Sequence, residues 1–321
     1  MSKRTFYAVS FSALTLLGLA VTQSDAKPDE VKLITQGVWF REGDLMGKGH
    51  CNNIIIEMKD YLVVIDANFP SGAQAALADI KKISSKPVRY VFDTHHHGDH
   101  AYGNPVWSKI GATTLAHQGV VDEMKRYEPK RWTETSKQRE DVGSLKLATA
   151  EPPKQTFSDK PFVIDDGNRK IEFHHFGWAH TRGDGFAYLP KEKIICTGDA
   201  ATNGPYNYTA DANIGNWPDV LGKAAKLDFK QVLPGHGPAG DRTVITGEIE
   251  FMMALRRAVR TQIQSGKTLK DLVTMKDGKP VATSLKLPDS VKNWVGPFLA
   301  AQVNDAFEEL TMNKPHGDLP H

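Results

Sequence analysis

The chain has 321 residues, 40% hydrophobic and 24% charged, which is globular composition with room for one large domain or two small ones, and it excludes a disordered or repeat protein. Lys plus Arg number 40 and Asp plus Glu 38, a formal net charge of +2, so no global field draws nucleic acid or an anionic membrane.

The first element is a targeting segment. Lys3 and Arg4 precede an apolar run over 6–21, and Ser24-Asp25-Ala26 follows with small residues at the cleavage-determining positions. This is the pattern of a secretory signal peptide, 1–26, removed after Ala26. Ser10, Ser12 and Thr15 interrupt the run and leave it short of a bilayer span, so the mature protein is expected in the periplasm or secreted, without stable membrane insertion. In such an oxidising compartment Cys51 and Cys196 are free to pair or not. Cys196, in the run Ile194-Ile195-Cys196, reads as a small buried hydrophobe.

From 31 to 67 short β-rich runs at 38–40, 54–56 and 62–65 form a meander broken by Gly-rich and charged turns. Ala73, Leu77, Ile80 and Ile83 recur at helical spacing, and 88–92 reads as a buried strand. A helix over 105–110 and a strand over 113–116 continue the alternation, as in a strand-rich layer with helices outside it. Residues 125–160, with many charges and Pro129, Pro152 and Pro153, read as a surface insertion or lid. Strands follow at 162–164, 170–176, 186–189 and 193–197, then a Gly/Asn/Tyr-rich loop over 203–216, a helix over 217–227 and a strand over 231–233. Beyond Arg242 the pattern is helical at 245–263, 269–275 and 291–310, with a frayed tip over 315–321.

Thr94-His95-His96-His97-Gly98-Asp99-His100 directly follows the strand 88–92. On extended backbone His95 and His97 point the same way and His96 the other. Gly98 can then turn the chain and send Asp99 and His100 toward a second position. A run of three His can also be an adventitious metal tract. Against that stand Gly177-Trp178-Ala179-His180-Thr181, Thr197-Gly198-Asp199 and Leu233-Pro234-Gly235-His236-Gly237, each after a β-rich stretch and each supplying one metal-competent side chain.

This order, H-x-H-x-D-H, H-T, G-D and P-G-H-G, resembles the metallo-β-lactamase superfamily over about 31–240. The resemblance implies a four-layer αββα sandwich (an α/β, or α+β, class) over 27–241, with a helical extension over 242–321 packed on it. It implies a first zinc on His95, His97 and His180, a second on Asp99, His100 and His236, and Asp199 bridging both. Three imidazoles leave a zinc an open position, so the site reads as catalytic rather than structural. Two ions about 3.5–4 Å apart share a bridging hydroxide as nucleophile, with Asp99 as the catalytic group that orients it and handles its proton. The expected enzyme is a dinuclear zinc hydrolase, with iron or manganese as alternative metals. Its partner is a small-molecule ester, lactone, thioester or amide, β-lactams included. Asp199 stands where some β-lactamases carry Cys or Ser, which argues for a general hydrolase.

Among lesser residues, Asp66 reads as support behind the metal loop. His96, His117, His174 and His175 read as packing or exposed imidazoles. Trp178, Tyr206, Asn207 and Tyr208 are candidates for a pocket wall, and Arg182 and Asp184 read as a pair within a turn. Asn207-Tyr208-Thr209 also fits a glycosylation sequon. The competing classes are an iron-dependent oxidoreductase of the same fold, such as a sulfur dioxygenase, and a non-catalytic periplasmic metal-binding module.

Overall fold

A computed structural model describes residues 27–319. The signal-peptide reading of 1–26 and the last two residues of the tip, 320 and 321, lie outside the described residues.

The first sheet has seven strands: β1 Val31–Thr35, β2 Val38–Arg41, β3 Asn53–Glu57, β4 Leu62–Ile65, β5 Val88–Phe92, β6 Thr113–His117 and β7 Gln155–Phe157, in chain order across the sheet. Pairing from β1 to β4 is antiparallel, and from β4 to β7 parallel, with a helix crossing between strands. The second sheet holds β8 Phe162–Asp165, β9 Lys170–His175, β10 Gly185–Leu189, β11 Ile194–Gly198 and β12 Gln231–Pro234, in the order β12-β11-β10-β9-β8.

Residue alternation assigns the layers. Ile54, Ile56, Val63 and Ile65 face inward and meet Ile171, Phe173, Ala187 and Leu189 of the second sheet. Ile55, Leu62 and Val64, one residue out of phase, face outward onto Ala73, Ala76 and Ile80 of the helix Pro70–Ile83 and onto Trp107. Phe186, Tyr188, Ile195 and Val232 of the second sheet turn outward onto the helices Trp217–Ala224, Arg242–Gln264 and Leu299–Met312. Helices thus cover both outer faces of a two-sheet sandwich. No helix among the described residues is long and apolar enough to cross a membrane. Cys51 and Cys196 are free thiols, both buried.

Several expectations are corrected. The segment 125–160, expected as a surface insertion or lid without periodicity, is helical in its first half: Gln118–Tyr127, Lys130–Gln138 and Glu140–Gly143 precede β7. Its anchors are few but large, Trp132 and Val142 packing with Phe69, Tyr102 and Ala150, so an otherwise charged stretch shows little periodicity. The helix expected over 269–275 stops at Leu272. Val273–Lys276 (β13) and Lys279–Thr283 (β14) form a hairpin there, whose turn residues Asp277 and Gly278 both have positive φ. The helix expected over 291–310 is a 3-10 turn, Asp289–Trp294, and a separate helix, Leu299–Met312, divided at Gly296-Pro297. The expected frayed tip is instead docked over 315–319: His316–Asp318 is a 3-10 turn, with His316 only 3% exposed.

Candidate metal centre

All seven candidate ligands lie on the rim of the sandwich, in loops that leave strands. His95, His97, Asp99 and His100 follow β5, His180 lies between β9 and β10, Asp199 follows β11 and His236 follows β12. Gly98 acts differently from the expected turn: it opens a short helical turn, Gly98–Ala101, and has no positive φ. Its missing Cβ matters sterically, since one would stand 2.8 Å from the Tyr102 ring and 2.9 Å from that of Phe69. Gly235 has the same meaning nearer the site, because a Cβ there would lie 2.3 Å from Asp199 Oδ1.

The side chains form two clusters. In the first, His97 Nδ1 and His180 Nε2 face each other at 3.1 Å, and the His95 ring lies 4.7 Å from that of His97 and 4.8 Å from that of His180. In the second, Asp99 Oδ2 lies 3.0 Å from His236 Nε2 and 3.4 Å from His100 Nε2. Asp199 stands between them: its Oδ2 is 3.3 Å from His236, 3.5 Å from His100, 3.9 Å from His95 and 4.0 Å from His180, each measured to Nε2.

The donor set fits a bound cation. His97 Nε2 lies 2.8 Å from an Asp211 carboxylate oxygen and His180 Nδ1 lies 2.8 Å from the Tyr208 carbonyl. If each outer nitrogen carries the proton it donates there, the facing inner nitrogens are both lone pairs, which hydrogen bonding cannot reconcile. Nitrogens about 2 Å from a tetrahedral zinc stand roughly 3.3 Å apart, close to what is seen. His95 Nε2 and Asp199 Oδ1 are buried with no hydrogen-bond partner among the described residues, a cost that a cation removes.

The electrostatics separate the clusters. Burial and neighbouring imidazoles hold His95 well below the usual histidine range, and burial with His97 pulls His180 down to about 3, so both are neutral ligands. Burial also opposes charge on His236, yet Asp199 and Asp99 raise it to about 9, and His100 is likewise raised. Burial raises Asp199, but His236 and His100 outweigh it and hold the carboxyl well below its usual range. In the second cluster Asp99 and Asp199 favour the protonated form of His236 and His100, the same carboxylates that would meet a cation.

The supports of the two clusters differ. Asp66, in left-handed backbone at φ 66, accepts from the Thr94 amide and hydroxyl at 2.8 Å each and places Oδ2 3.0 Å from His100 Nδ1. Asp211, which sequence reasoning missed, serves the first cluster. It takes both Arg131 terminal nitrogens at 2.7 and 2.8 Å, and also approaches His96 Nε2 at 3.4 Å. Its one signal was an acid in a Gly/Asn/Tyr-rich loop between two proposed ligands; Arg131, in the supposed insertion, had none.

The remaining candidates divide. His96 stacks on Tyr127 and turns its Nε2 to Asp211, with its ring 4.7 Å from that of His97. His174 pairs with Glu172, and His117 stacks on His175 at 3.8 Å. Tyr208 and Tyr206 flank the site, with ring centres 5.8 Å from His97 and 6.1 Å from His236 respectively. Asn207 is buried against Glu248, and Trp178 donates to the Asp211 carbonyl. The expected Arg182–Asp184 pair does not form: Arg182 pairs with Glu123 and Asp318, while Asp184 turns inward to accept from the Thr181 and Ala179 amides and so fixes the His180 loop.

The chain matches the family model of the metallo-beta-lactamase superfamily over residues 46–250. It is 24% identical over 211 residues to a metallo-beta-lactamase type 2 of Bacillus cereus, covering 63% of this chain and 72% of that protein. It is 29% identical over 125 residues to a hydroxyacylglutathione hydrolase of Dictyostelium discoideum, covering 39% of this chain and 44% of the relative. Its fold is similar to that of a metallo-beta-lactamase from Pontibacter korlensis, with a TM-score of 0.57 at 22% identity over 70% of this chain and 98% of that one. A metallo-beta-lactamase from Hirschia baltica gives a TM-score of 0.56 at 21% identity over the same shares of the two chains.

Proposed function

Because the chain belongs to the metallo-beta-lactamase superfamily of metal-dependent hydrolases, we propose that it is an exported enzyme that holds two zinc ions and hydrolyses an ester, lactone, thioester or amide bond of a small molecule. The observation that carries the reading is the position of Asp199, whose Oδ2 lies within 4.0 Å of imidazole nitrogens from both clusters. His95, His97 and His180 would hold one ion, Asp99, His100 and His236 the other, and Asp199 both. Zinc at such a site supplies electrophilic polarisation of a carbonyl and activation of water near neutral pH.

The chain's own residues supply the rest. Burial works to raise the pKa of Asp99, but His100 and His236 outweigh it and keep the carboxyl below its usual range. Its side chain is 16% exposed, unlike the fully buried His100, so an ionised carboxylate at the mouth of the site is placed to accept from and orient water. Tyr206 and Tyr208 give the entrance an aromatic wall that suits an apolar acyl portion. The division into a signal peptide 1–26, a catalytic domain 27–241 and a helical extension 242–321 is part of the same proposal.

The relatives named metallo-beta-lactamase and hydroxyacylglutathione hydrolase put beta-lactams and hydroxyacyl-glutathione first on a substrate panel, followed by lactones and simple esters. Purified protein, assayed for metal content and against that panel, should carry zinc and turn over at least one acyl substrate. Iron with oxygen uptake, or tight metal binding with no turnover on any substrate, would refute the hydrolase.

A further inference from the structure

The C-terminal helix Leu299–Met312 turns polar groups toward the protein interior. Gln302, Asp305 and Glu309 share one face at helical spacing and are 1%, 7% and 4% exposed. Burying such groups in a helix interface costs free energy that apolar side chains would not, so their partners show what they specify. All three reach the loop 203–216. Gln302 donates to the Asn207 carbonyl at 2.5 Å, Asp305 accepts from the Thr209 hydroxyl at 2.6 Å, and Glu309 accepts from the Ile214 and Gly215 amides at 2.9 and 2.8 Å. His316 Nδ1 lies 2.7 Å from the Ala210 carbonyl, and Gly317 donates to that of Ala212.

The same loop touches the first cluster at two points, the Tyr208 carbonyl on His180 and the Asp211 carboxylate on His97. Anchors at 207, 209, 210, 212 and 214–215 therefore bracket the two residues that set the outer hydrogen bonds of two candidate ligands. The stripe lies beyond residue 250, where the family match ends.

We propose that Gln302, Asp305 and Glu309 are positioning residues for the metal centre, acting through the 203–216 loop on His97 and His180. The proposal rests on the reading of the two clusters as metal sites. It places the effect mainly on the first cluster, because the anchors lie at 207–215, while the loop's hydrogen bond to the second, from the Asn203 amide to the His236 carbonyl at 3.0 Å, lies before them. Partners behind a ligand typically change metal affinity ten- to a hundredfold.

The test is chelator competition for Zn2+ on the full chain, with each cluster isolated in turn: His236→Ala leaves the first cluster intact, and His180→Ala the second. Adding Glu309→Ala should weaken zinc ten- to a hundredfold in the His236→Ala background and leave it within threefold in the His180→Ala background. Thr209→Val, which removes one hydroxyl from the loop side, should act the same way more weakly and serves if Glu309→Ala does not fold. Met252→Ala, in the same helical layer and packed in its apolar core without a hydrogen bond to the loop, should lower the melting temperature and shift neither affinity. Equal weakening in both backgrounds, or none in either, overturns the proposal. If the His236→Ala chain binds no zinc before any stripe residue is changed, the metal reading itself has failed and the proposal falls with it.

Discussion

The two halves of the candidate centre use similar ligands and are held in different ways. Asp99, His100 and His236 sit on local turns tied to the sheets: Asp66 at the end of β4 backs His100, and Asn52 donates to the carbonyls of Pro234 and Gly237 on either side of His236. His97 and His180 depend on a loop that remote helices hold. Support at the sheet rim comes from residues at the strands' own ends, Asp66 28 positions from the Thr94 it holds and Asn52 182 from Pro234. Support from the helices comes from residues about a hundred or more positions away.

The largest expected effect treats the halves alike. His180→Ala and His236→Ala should each remove one zinc equivalent, measured by elemental analysis, and cut hydrolytic activity by more than about a hundredfold, beyond what a supporting partner typically contributes. Retention of both equivalents in either variant would break the division into two clusters.

The next effect separates them by pH. Burial opposes charge on His316, but Asp305 and Glu308 raise its pKa to about 9. A folded value above the ordinary 6.5 means that its stabilisation is complete below pH 6.5 and lost as the pH rises through 9. That difference is worth about 3 kcal/mol at most. Urea midpoints should therefore fall between pH 6 and pH 10 more in the wild type than in His316→Gln; parallel declines would remove His316 from the loop's support.

A smaller and complementary effect falls on the other half. Asp66→Asn keeps an acceptor for the Thr94 amide but removes the charge facing His100. It should weaken zinc ten- to a hundredfold in a His180→Ala background and much less in a His236→Ala background. His174→Ala, far from both clusters, should change neither zinc content nor activity, and an effect equal to that of His180→Ala would undo the ligand assignment.

This asymmetry also explains what the sequence made legible. Ile54 to Ile56 and Val63 to Ile65 stood out as unbroken apolar runs because one side of each strand meets the second sheet and the other the helices. The His95–His100 run, His180 and the Gly-flanked Asp199 and His236 stood out because each occupies a single loop after a strand. Trp132 was hidden because one large side chain anchors an otherwise charged helix. Asp211 and Glu309 were hidden for another reason: a carboxylate that accepts from a residue 80 or 94 positions away leaves no local pattern. Spacing within the helix would have exposed the stripe only if Gln302, Asp305 and Glu309 had been read as facing inward beside Val303 and Ala306.

The most direct measurement is an anomalous-difference map at the zinc edge from crystals of the zinc-loaded full chain. Two peaks, one among His95, His97 and His180 and one among Asp99, His100 and His236, with Asp199 between them, are the predicted result. A single peak, or peaks away from Asp199, would contradict it.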